Sequence, residues 1–375
     1  MTISFLRVGM LVISILTLAT LSVQAENIDF EGQTWVAGTS DEGAARVETF
    51  LGRDALFLQR TSAALRNADF GDMVIEYEYA ATHLSGFIGV NFRIDQDGTN
   101  LEQFYTRTHQ TGQPDATQYM VLTNGSATWQ LHAGPNEAAA TELQEKTWTR
   151  VRIVAIGNRA DIFVGDMSTP LIHVPRLRSD SKSGGFSLYA SDRFFMKHTG
   201  AYFSNIVIRP VNDTDTIKGE PKETVPFPEG LITQFEVSNP IAEKDIASVF
   251  DLANLTAERG AWKPLEVEND GVANLARLSG IEDNKNTVLV RIRVTTDAPE
   301  TRLLQFGYSD RVRLYVDGKL VYAGDAQWRS RDHRFLGTIA LADSIALHLE
   351  PGQTEIIAAV SESFGGWGFK AAWAN

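Results

Sequence analysis

The sequence predicts an all-β protein with two β-sandwich or jelly-roll domains joined by a proline-rich linker. Three observations predict this fold class. Short stretches of alternating apolar and polar residues recur along the chain, turn-forming residues separate them, and no long helical pattern intervenes. A length of 375 residues accommodates two ordinary domains or one large β domain, and 43% hydrophobic residues can form a core.

The N-terminal segment, residues 1–25, has the pattern of a secretory signal peptide. Arg7 is its single charge, an apolar run at residues 8–21 follows, and small side chains precede a cleavage position after Ala25. This run is shorter than the roughly 20 residues of a membrane span. We therefore expect cleavage, export to the periplasm or the extracellular space, and no stable membrane span afterwards. An uncleaved anchor is the alternative.

Composition and charge exclude several classes of function. The chain has no cysteine, which excludes disulfide bonds, a thiolate nucleophile and cysteine-ligated zinc. Its formal net charge of −13 repels phosphate backbones, so we expect no nucleic-acid partner.

The first domain is predicted at residues 26–210, where strand-length stretches follow one another closely. Each stretch alternates apolar with polar residues and ends at Gly, Asn, Asp or Pro, as in antiparallel sheets. The predicted strands include residues 73–79, 87–94, 101–108, 117–122, 128–132, 148–155, 160–164, 185–190 and 201–208.

An unusual set of polar residues lies on the predicted strands between residues 87 and 132. Residues two apart on a strand point to the same face, so Asn91 is expected beside Arg93, and alternate residues from 103 to 109 should share a face. The intervening Val90 and Phe104 should face a core. Guanidinium, amide, imidazole and phenol groups suit a polyhydroxylated ligand, whereas a solvated outer face is the other interpretation. The expected ligand-binding residues are Asn91, Arg93, Tyr105, Arg107, His109, Asp115, Gln118 and Gln130.

Two acids on one predicted strand, Glu76 and Glu78, indicate glycoside cleavage as an alternative to binding. We expect them on one face about 7 Å apart, and paired carboxyl groups roughly 5–9 Å apart cleave glycosidic bonds. The candidate catalytic residues are Glu76, Glu78, Asp115 and His109, with the last two assisting on the same face. Solvent-facing glutamates, and a turn role for Asp115 after Pro114, are the other interpretations.

The loop at residues 95–100 has oxygen-bearing side chains at alternating positions, as calcium loops do. Its glycine comes fourth rather than sixth and no helices flank it, so the sequence favours a hairpin connection. We expect no metal site and no cofactor, with calcium at this loop as the alternative.

A linker is predicted at residues 211–230, because the stretch from Pro210 has four prolines, many charges and no periodicity. A second β domain follows at residues 231–375, where Asp317-Gly318 between alternating runs is a strong hairpin signal. Its candidate site residues lie in loop-like contexts, where an indole can stack on a sugar ring; a packed loop with structural Arg–Asp pairs is the favoured alternative. They are Asp310, Trp328, Arg329 and Trp367.

Short motifs recur through most of residues 30–210: GFIGVNFR at 86–93, FYTR at 104–107, QPDATQY at 113–119, NG at 124–125, WQL at 129–131 and FSNI at 203–206. In this order and spacing the domain resembles the concanavalin A-like lectin/glucanase superfamily and, more narrowly, the 3-keto-disaccharide hydrolase domain family. The resemblance implies a two-sheet jelly roll with a carbohydrate-related site on the concave sheet. It does not decide between binding and catalysis.

The second domain is similar to galactose-binding-like jelly rolls through FGYSD at 306–310, VDGK at 316–319 and GGWGF at 365–369. Asp317 stands where those modules usually have asparagine. Such modules often accompany carbohydrate-active domains, so the resemblance also points to carbohydrate.

The leading hypothesis is a secreted carbohydrate-binding protein that engages a glycan on the concave sheet of the first domain. The alternatives are a glycoside hydrolase acting on the same face and an adhesion or partner-recruiting protein. An Asp or Glu buried beside Arg93 would favour binding, because that pairing lowers the carboxyl pKa. A carboxyl group in an apolar cleft favours catalysis, because burial raises its pKa.

Overall fold

The computed structural model describes residues 25–38, 43–192, 200–222, 226–258, 260–268, 270–327, 330 and 339–374. Antiparallel strands pair into four sheets, which confirms the all-β prediction. The predicted signal segment, apart from Ala25, lies outside the described residues, as do Trp328 and Arg329. None of the helices in the described part is long and apolar enough to cross a membrane.

In the described residues between Ala25 and Pro210, sixteen strands form two facing sheets. The strands are β1 (Ala25–Phe30), β2 (Gln33–Gly38), β3 (Ala44–Phe50), β4 (Arg53–Gln59), β5 (Thr61–Leu65), β6 (Met73–Ala81), β7 (Gly86–Ile94), β8 (Leu101–Arg107), β9 (Thr117–Thr123), β10 (Ser126–Ala127), β11 (Ala138–Ala139), β12 (Thr149–Ile156), β13 (Arg159–Val164), β14 (Ile172–Val174), β15 (Gly185–Asp192) and β16 (Gly200–Pro210). Sheet A has the order β1-β2-β5-β15-β7-β8-β9-β10, with β11 also paired to β9. Sheet B has the order β14-β13-β12-β6-β16-β4-β3. We call the two sheets together the first sandwich.

The core of the first sandwich lies between sheets A and B. Val90 and Phe104 of sheet A pack there against Ile75 and Tyr77 of sheet B, all of them buried. The expected period-two alternation on β7 and β8 is therefore confirmed for the core positions. Residues 128–132 do not form the predicted strand.

Ten further strands in the described part of residues 234–374 form the second sandwich. They are β17 (Gln234–Val237), β18 (Lys263–Glu266), β19 (Ala273–Asn274), β20 (Thr287–Thr296), β21 (Glu300–Ser309), β22 (Arg311–Val316), β23 (Lys319–Asp325), β24 (Asp343–Leu349), β25 (Gly352–Ser361) and β26 (Gly368–Ala374). Sheet C has the order β18-β17-β20-β25-β22-β23, and sheet D has the order β19-β26-β21-β24. The described helical segments are the short helix α1 (Glu243–Ile246) and the 3-10 turns Thr108–Gln110, Leu252–Asn254 and Leu275–Arg277.

The predicted hairpin at Asp317-Gly318 is confirmed. Both residues have positive φ, at 46° and 82°, and they connect β22 to β23. This conformation matches the two-residue turn whose twist suits a hairpin.

The segment after β16 lies along the first sandwich over part of its length. Asp215 accepts hydrogen bonds from Arg209 and Arg152 of sheet B. The backbone N–H groups of Lys218 and Gly219 both donate to the buried carboxylate of Asp161. Residues 215–219 of the predicted linker are thus fixed to sheet B by charged groups.

The two sandwiches contact each other through polar and apolar residues. Asn124, in the turn after β9, donates to the carbonyl of Ala276 at 2.9 Å. An apolar cluster of Leu131, Val272 and Ile339 also joins the two sandwiches. We call this region the junction; it places residues 128–132 of the first sandwich against loops of the second.

Candidate functional site

Polar side chains form a row of two hydrogen-bonded groups on the outer face of sheet A. The pairing of strands β15, β7, β8 and β9 sets them side by side: Ser187 lies opposite Asn91, which lies opposite Gln103, while Tyr105 lies opposite Gln118. We call the row the polar ladder; its members are Ser187, Asn91, Gln103, Tyr105, Arg107 and Gln118.

The ladder residues hydrogen-bond to one another. Gln103 donates to Asn91 at 2.7 Å, and Asn91 donates to Ser187 at 3.0 Å. The Tyr105 hydroxyl donates to the side-chain carbonyl oxygen of Gln118 at 2.9 Å. Arg107 Nη2 donates to the Tyr105 hydroxyl oxygen and to the same Gln118 oxygen, each at 2.5 Å. Because each group is held by its neighbours, the ladder is ordered before any ligand arrives.

Two further contacts fix the end of the ladder at Arg107. Its Nη1 donates to the carbonyl of Asp115 at 2.8 Å and lies 3.7 Å from the Asp115 carboxylate. Gln118 donates to the backbone carbonyls of Trp129 and His132, at 2.9 and 2.6 Å. The predicted Arg107, Asp115 and Gln118 are thus brought together, with the Arg107 charge facing a carboxylate.

Burial controls the chemistry of the ladder. Tyr105 and Arg107 are only 4% and 8% exposed. Burial raises the pKa of Tyr105 to about 12, so its hydroxyl remains protonated at neutral pH and both donates and accepts. The ladder therefore offers a neutral phenol beside the Arg107 guanidinium and no phenolate.

Aromatic rings flank the ladder on the same face. Phe87 lies 6.1 Å from Tyr105 and meets the His109 ring edge-on at 5.2 Å, while the Arg107 guanidinium lies 5.7 Å from the centre of Trp129. Phe87 and Trp129 are partly exposed, and together with Met120 and Tyr189 they form one apolar cluster. Sequence reasoning missed these residues as part of the site. Phe87 and Asn91 are four positions apart on one strand, so the period of two could have placed Phe87 on the same face as Asn91.

The expectation that Asn91 and Arg93 share a face is wrong. The pairing of β7 with β15 shifts by one residue next to Arg93, whose φ is +50°. This bulge reverses the side-chain direction. Arg93 is 1% exposed and donates to the Gly71 carbonyl and the Asp72 carboxylate, in the loop before β6 of sheet B. It therefore lies between the sheets, away from the ladder.

Gln130 does not belong to the face of sheet A either. It is buried, accepts a hydrogen bond from the Ser309 hydroxyl at 3.0 Å, and its backbone N–H donates to Gly365 at 3.0 Å. Both partners belong to the second sandwich, so Gln130 is a junction residue.

The predicted catalytic set is separated by the core. Glu76 and Glu78 share a face, as expected, but that face is the outer side of sheet B, whereas Asp115 and His109 lie at sheet A. The prediction that Asp115 and His109 assist Glu76 and Glu78 on one face is therefore wrong. Glu76 contacts Arg150 at 2.7 Å, and Glu78 contacts Arg53.

A groove of about 460 Å³ opens on the sheet B side of the sandwich. Its lining includes Glu78, Trp148 and Arg150. The Arg53 guanidinium lies over one face of Trp148, 4.1 Å from the ring centre. The lining of the groove also includes Ala140, Thr141 and Glu142, which follow β11 of sheet A.

The candidate site residues of the second sandwich that the structure describes are buried and stabilise the fold. Trp367 is fully buried in the core and donates to the Val360 carbonyl at 3.0 Å, so the expectation of a sugar platform at Trp367 is wrong. Asp310 is 3% exposed and accepts from the backbone N–H of Ser363 at 2.9 Å. Burial raises the pKa of Asp310 and, together with repulsion from Asp310, that of Glu362. Trp328 and Arg329 lie outside the described residues.

Sequence reasoning also missed a buried charge network at the junction. Arg178 donates to Glu137 of the first sandwich and to Glu268 of the second, both at 2.9 Å. His132 is fully buried with Nε2 3.7 Å from Glu268, and burial beside Arg178 lowers its pKa to about 3. No local pattern identifies this network, because its members come from distant parts of the chain.

The loop at residues 95–100 connects β7 to β8. The Asp95 carboxylate accepts from the backbone N–H of Thr99 and from the Asn100 amide, each at 2.8 Å. These hydrogen bonds hold the pKa of Asp95 below its usual value although burial opposes them. In the described part of the chain, no group of three or more His, Asp or Glu side chains is arranged to hold a metal ion.

Comparisons with known proteins find likeness in structure only. No protein family model matches the chain. No curated protein is significantly similar to it in sequence. Solved structures that are similar to parts of it include the carbohydrate-binding module CBM66 from Bacillus subtilis, at 16% identity, TM-score 0.32, and coverage of 49% of this chain and 93% of that one.

A β-glucanase from Bacillus licheniformis is similar at 12% identity and TM-score 0.34, over 51% of this chain and 94% of the other. The galectin LEC-6 from Caenorhabditis elegans is similar at 11% identity and TM-score 0.27, over 45% and 100%. At these scores none of the three bears on function, and the β-sandwich class rests on the sheets of the chain itself.

Proposed function

We propose that this chain binds carbohydrate on the outer face of sheet A, with the polar ladder and its flanking aromatic rings as the binding surface. The observation that carries the proposal is the combination of ordered amide, phenol and hydroxyl groups, with Arg107 as the charged member of the row, and partly exposed rings at Phe87 and Trp129. Sugar hydroxyls donate and accept, so they match amide, phenol and hydroxyl groups. The C–H faces of sugar rings pack against aromatic rings.

Binding without cleavage fits the positions of the acids. Glycoside hydrolysis needs two carboxyl groups on either side of one bond. Asp115 faces Arg107, while Glu76 and Glu78 lie on the other sheet. We therefore propose a binding protein rather than a hydrolase, and we retain export, from the N-terminal pattern, as part of the proposal.

Trp129→Ala tests the proposed surface, with Trp148→Ala as the matched control on the opposite sheet. Wild type should bind glycans on an array of neutral and anionic oligosaccharides and release no reducing ends. Trp129→Ala should bind at least tenfold more weakly, about 1.4 kcal/mol, because a stacking face is lost. Isothermal titration with the strongest array glycan measures this, and Trp148→Ala should match wild type.

Three outcomes contradict the proposal. No array signal from wild type would remove carbohydrate binding. Loss of binding in Trp148→Ala alone would transfer the site to the groove on sheet B. Release of reducing ends by the purified chain would establish hydrolysis instead.

A further inference from the structure

A loop of the second sandwich, residues 362–367, approaches the polar ladder across the junction. Phe364 is its exposed residue, at 38%, between neighbours that are buried or half-buried. The Phe364 ring lies 6.3 Å from Trp129. The two rings together present aromatic surface to solvent, on which the C–H face of a sugar ring can pack.

The loop is held in place at both ends and along its backbone. Asp310 accepts from the N–H of Ser363 at one end, and Trp367 is anchored in the core at the other. Gly365 and Gly366 have φ of 117° and 155°, and a Cβ on them would lie 2.2 Å from Gln130 and Leu131 respectively. Both φ values lie in the region that favours glycine, and the short contacts are with the ends of the Gln130 and Leu131 side chains. The position of Phe364 next to Trp129 is therefore built into the fold.

Neighbouring side chains form an unbroken path from the ladder to Phe364. The Arg107 guanidinium lies 4.8 Å from the Tyr105 ring centre and 5.7 Å from that of Trp129, and Phe364 follows. The surface thus extends from the face of sheet A onto the second sandwich.

We propose that Phe364 and Trp129 form a second sugar subsite, so that the site takes a neutral oligosaccharide that spans the junction. This inference rests on the proposed function and adds the ligand class and a specificity-determining residue. Neutral sugars are favoured because the Arg107 charge already faces Asp115 and the whole chain carries a net charge of −13, which repels polyanions.

The test compares Phe364→Ala with wild type by isothermal titration of the full chain. The probes are β-linked gluco-, manno- and galacto-oligosaccharides of one to six residues, with oligogalacturonates of the same lengths. Wild-type affinity should rise with chain length for a neutral series. Phe364→Ala should bind the longest oligosaccharides of that series about tenfold more weakly than wild type. Its affinity for mono- and disaccharides should change less than twofold.

Two further variants make the result specific. Phe364→Tyr keeps a ring and should bind within twofold of wild type. Phe250→Ala removes another exposed phenylalanine of the second sandwich, at 71%, and should also match wild type.

Several results would overturn the inference. Equal affinity of Phe364→Ala and wild type for the longest neutral oligosaccharides would do so, as would wild-type affinity independent of length or stronger binding of oligogalacturonates. In each of these cases carbohydrate binding itself stands. No binding by wild type to any sugar on the wider array would remove the proposed function as well.

Discussion

Single residues of this chain have roles that depend on the direction of one side chain. The +50° φ of Arg93 turns it off the outer face of sheet A and into the space between the sheets. There it approaches the buried Glu102, whose pKa is raised by burial and lowered by the Arg93 charge, with the burial effect larger. Arg93 is thus a structural residue rather than part of the proposed binding surface.

Arg93→Met should destabilise the protein by about 2–3 kcal/mol, because it leaves the Gly71 carbonyl without its donor and Glu102 without its nearby cation. Arg150→Met is the matched control, since Arg150 is half-exposed and its ion pair should contribute under about 1 kcal/mol. Urea unfolding followed by tryptophan fluorescence measures both. Equal losses in the two variants would contradict a buried role for Arg93.

Strands β7 and β8 determine the geometry of the ladder because they pack unusually closely at Gly89. A Cβ at this position would lie 2.4 Å from the Phe104 carbonyl and 2.7 Å from the Tyr105 Cβ. Tyr105 lies directly opposite Gly89 in the pairing. The absent side chain of Gly89 thus leaves room for the Tyr105 ring and its hydrogen bonds.

Gly89→Ala should cost about 1–3 kcal/mol of stability, because the added methyl group forces the two strands apart. It should also weaken glycan binding, since Tyr105 and Arg107 shift together. Gly185→Ala, on the neighbouring β15, is the control: its Cβ would meet only ordinary contacts, at 3.5 Å and beyond. Thermal unfolding and glycan titration of both variants test this, and a Gly89→Ala protein with wild-type values in both would refute it.

At the scale of the whole molecule, buried charges join the two sandwiches. Arg178 pairs with Glu137 and Glu268, and interactions with His132 and Arg277 help to hold the pKa of Glu268 at about 2 although burial opposes this. Buried charges contribute to structure only while all partners keep their charge states. The junction should therefore respond to pH.

His132 determines the direction in which the stability of the junction changes with pH. Its pKa is about 6.5 when unfolded and about 3 when folded, so below pH 6.5 the unfolded chain binds a proton that the folded chain does not. Its contribution to stability is complete above about pH 6.5 and declines as the pH falls toward 3. At pH 5 the loss is about 2 kcal/mol.

His132→Gln isolates this effect by comparison of pH profiles. Asp270, whose pKa burial raises to about 6, acts in the opposite direction between pH 6 and 3.8, but it is present in both proteins. Between pH 8 and pH 5 the wild type should therefore lose about 2 kcal/mol more than His132→Gln, as measured by urea unfolding. An exposed histidine variant, His348→Gln, should follow wild type. Parallel profiles of wild type and His132→Gln would contradict the assignment.

The sequence by itself determined the features that depend on local periodicity. Alternation along β7 and β8 predicted the all-β class, the core positions of Val90 and Phe104, and Tyr105 and Arg107 together on the other face. The Asp317-Gly318 turn was equally local. Such predictions succeed because side-chain direction on a regular strand depends only on position along it.

Features that depend on distant segments follow from the packing of the folded chain. The bulge at Arg93, the separation of Glu76 from Asp115 by the core, and the attachment of Gln130 to the second sandwich all follow from pairing and packing between remote parts of the chain. Phe364 and Trp129 are 235 positions apart in sequence and meet where the loop with Gly365 and Gly366 packs on Gln130 and Leu131. The two-residue alternation of side chains predicts which residues of one strand share a face. Which faces contact each other depends on how the sheets pack.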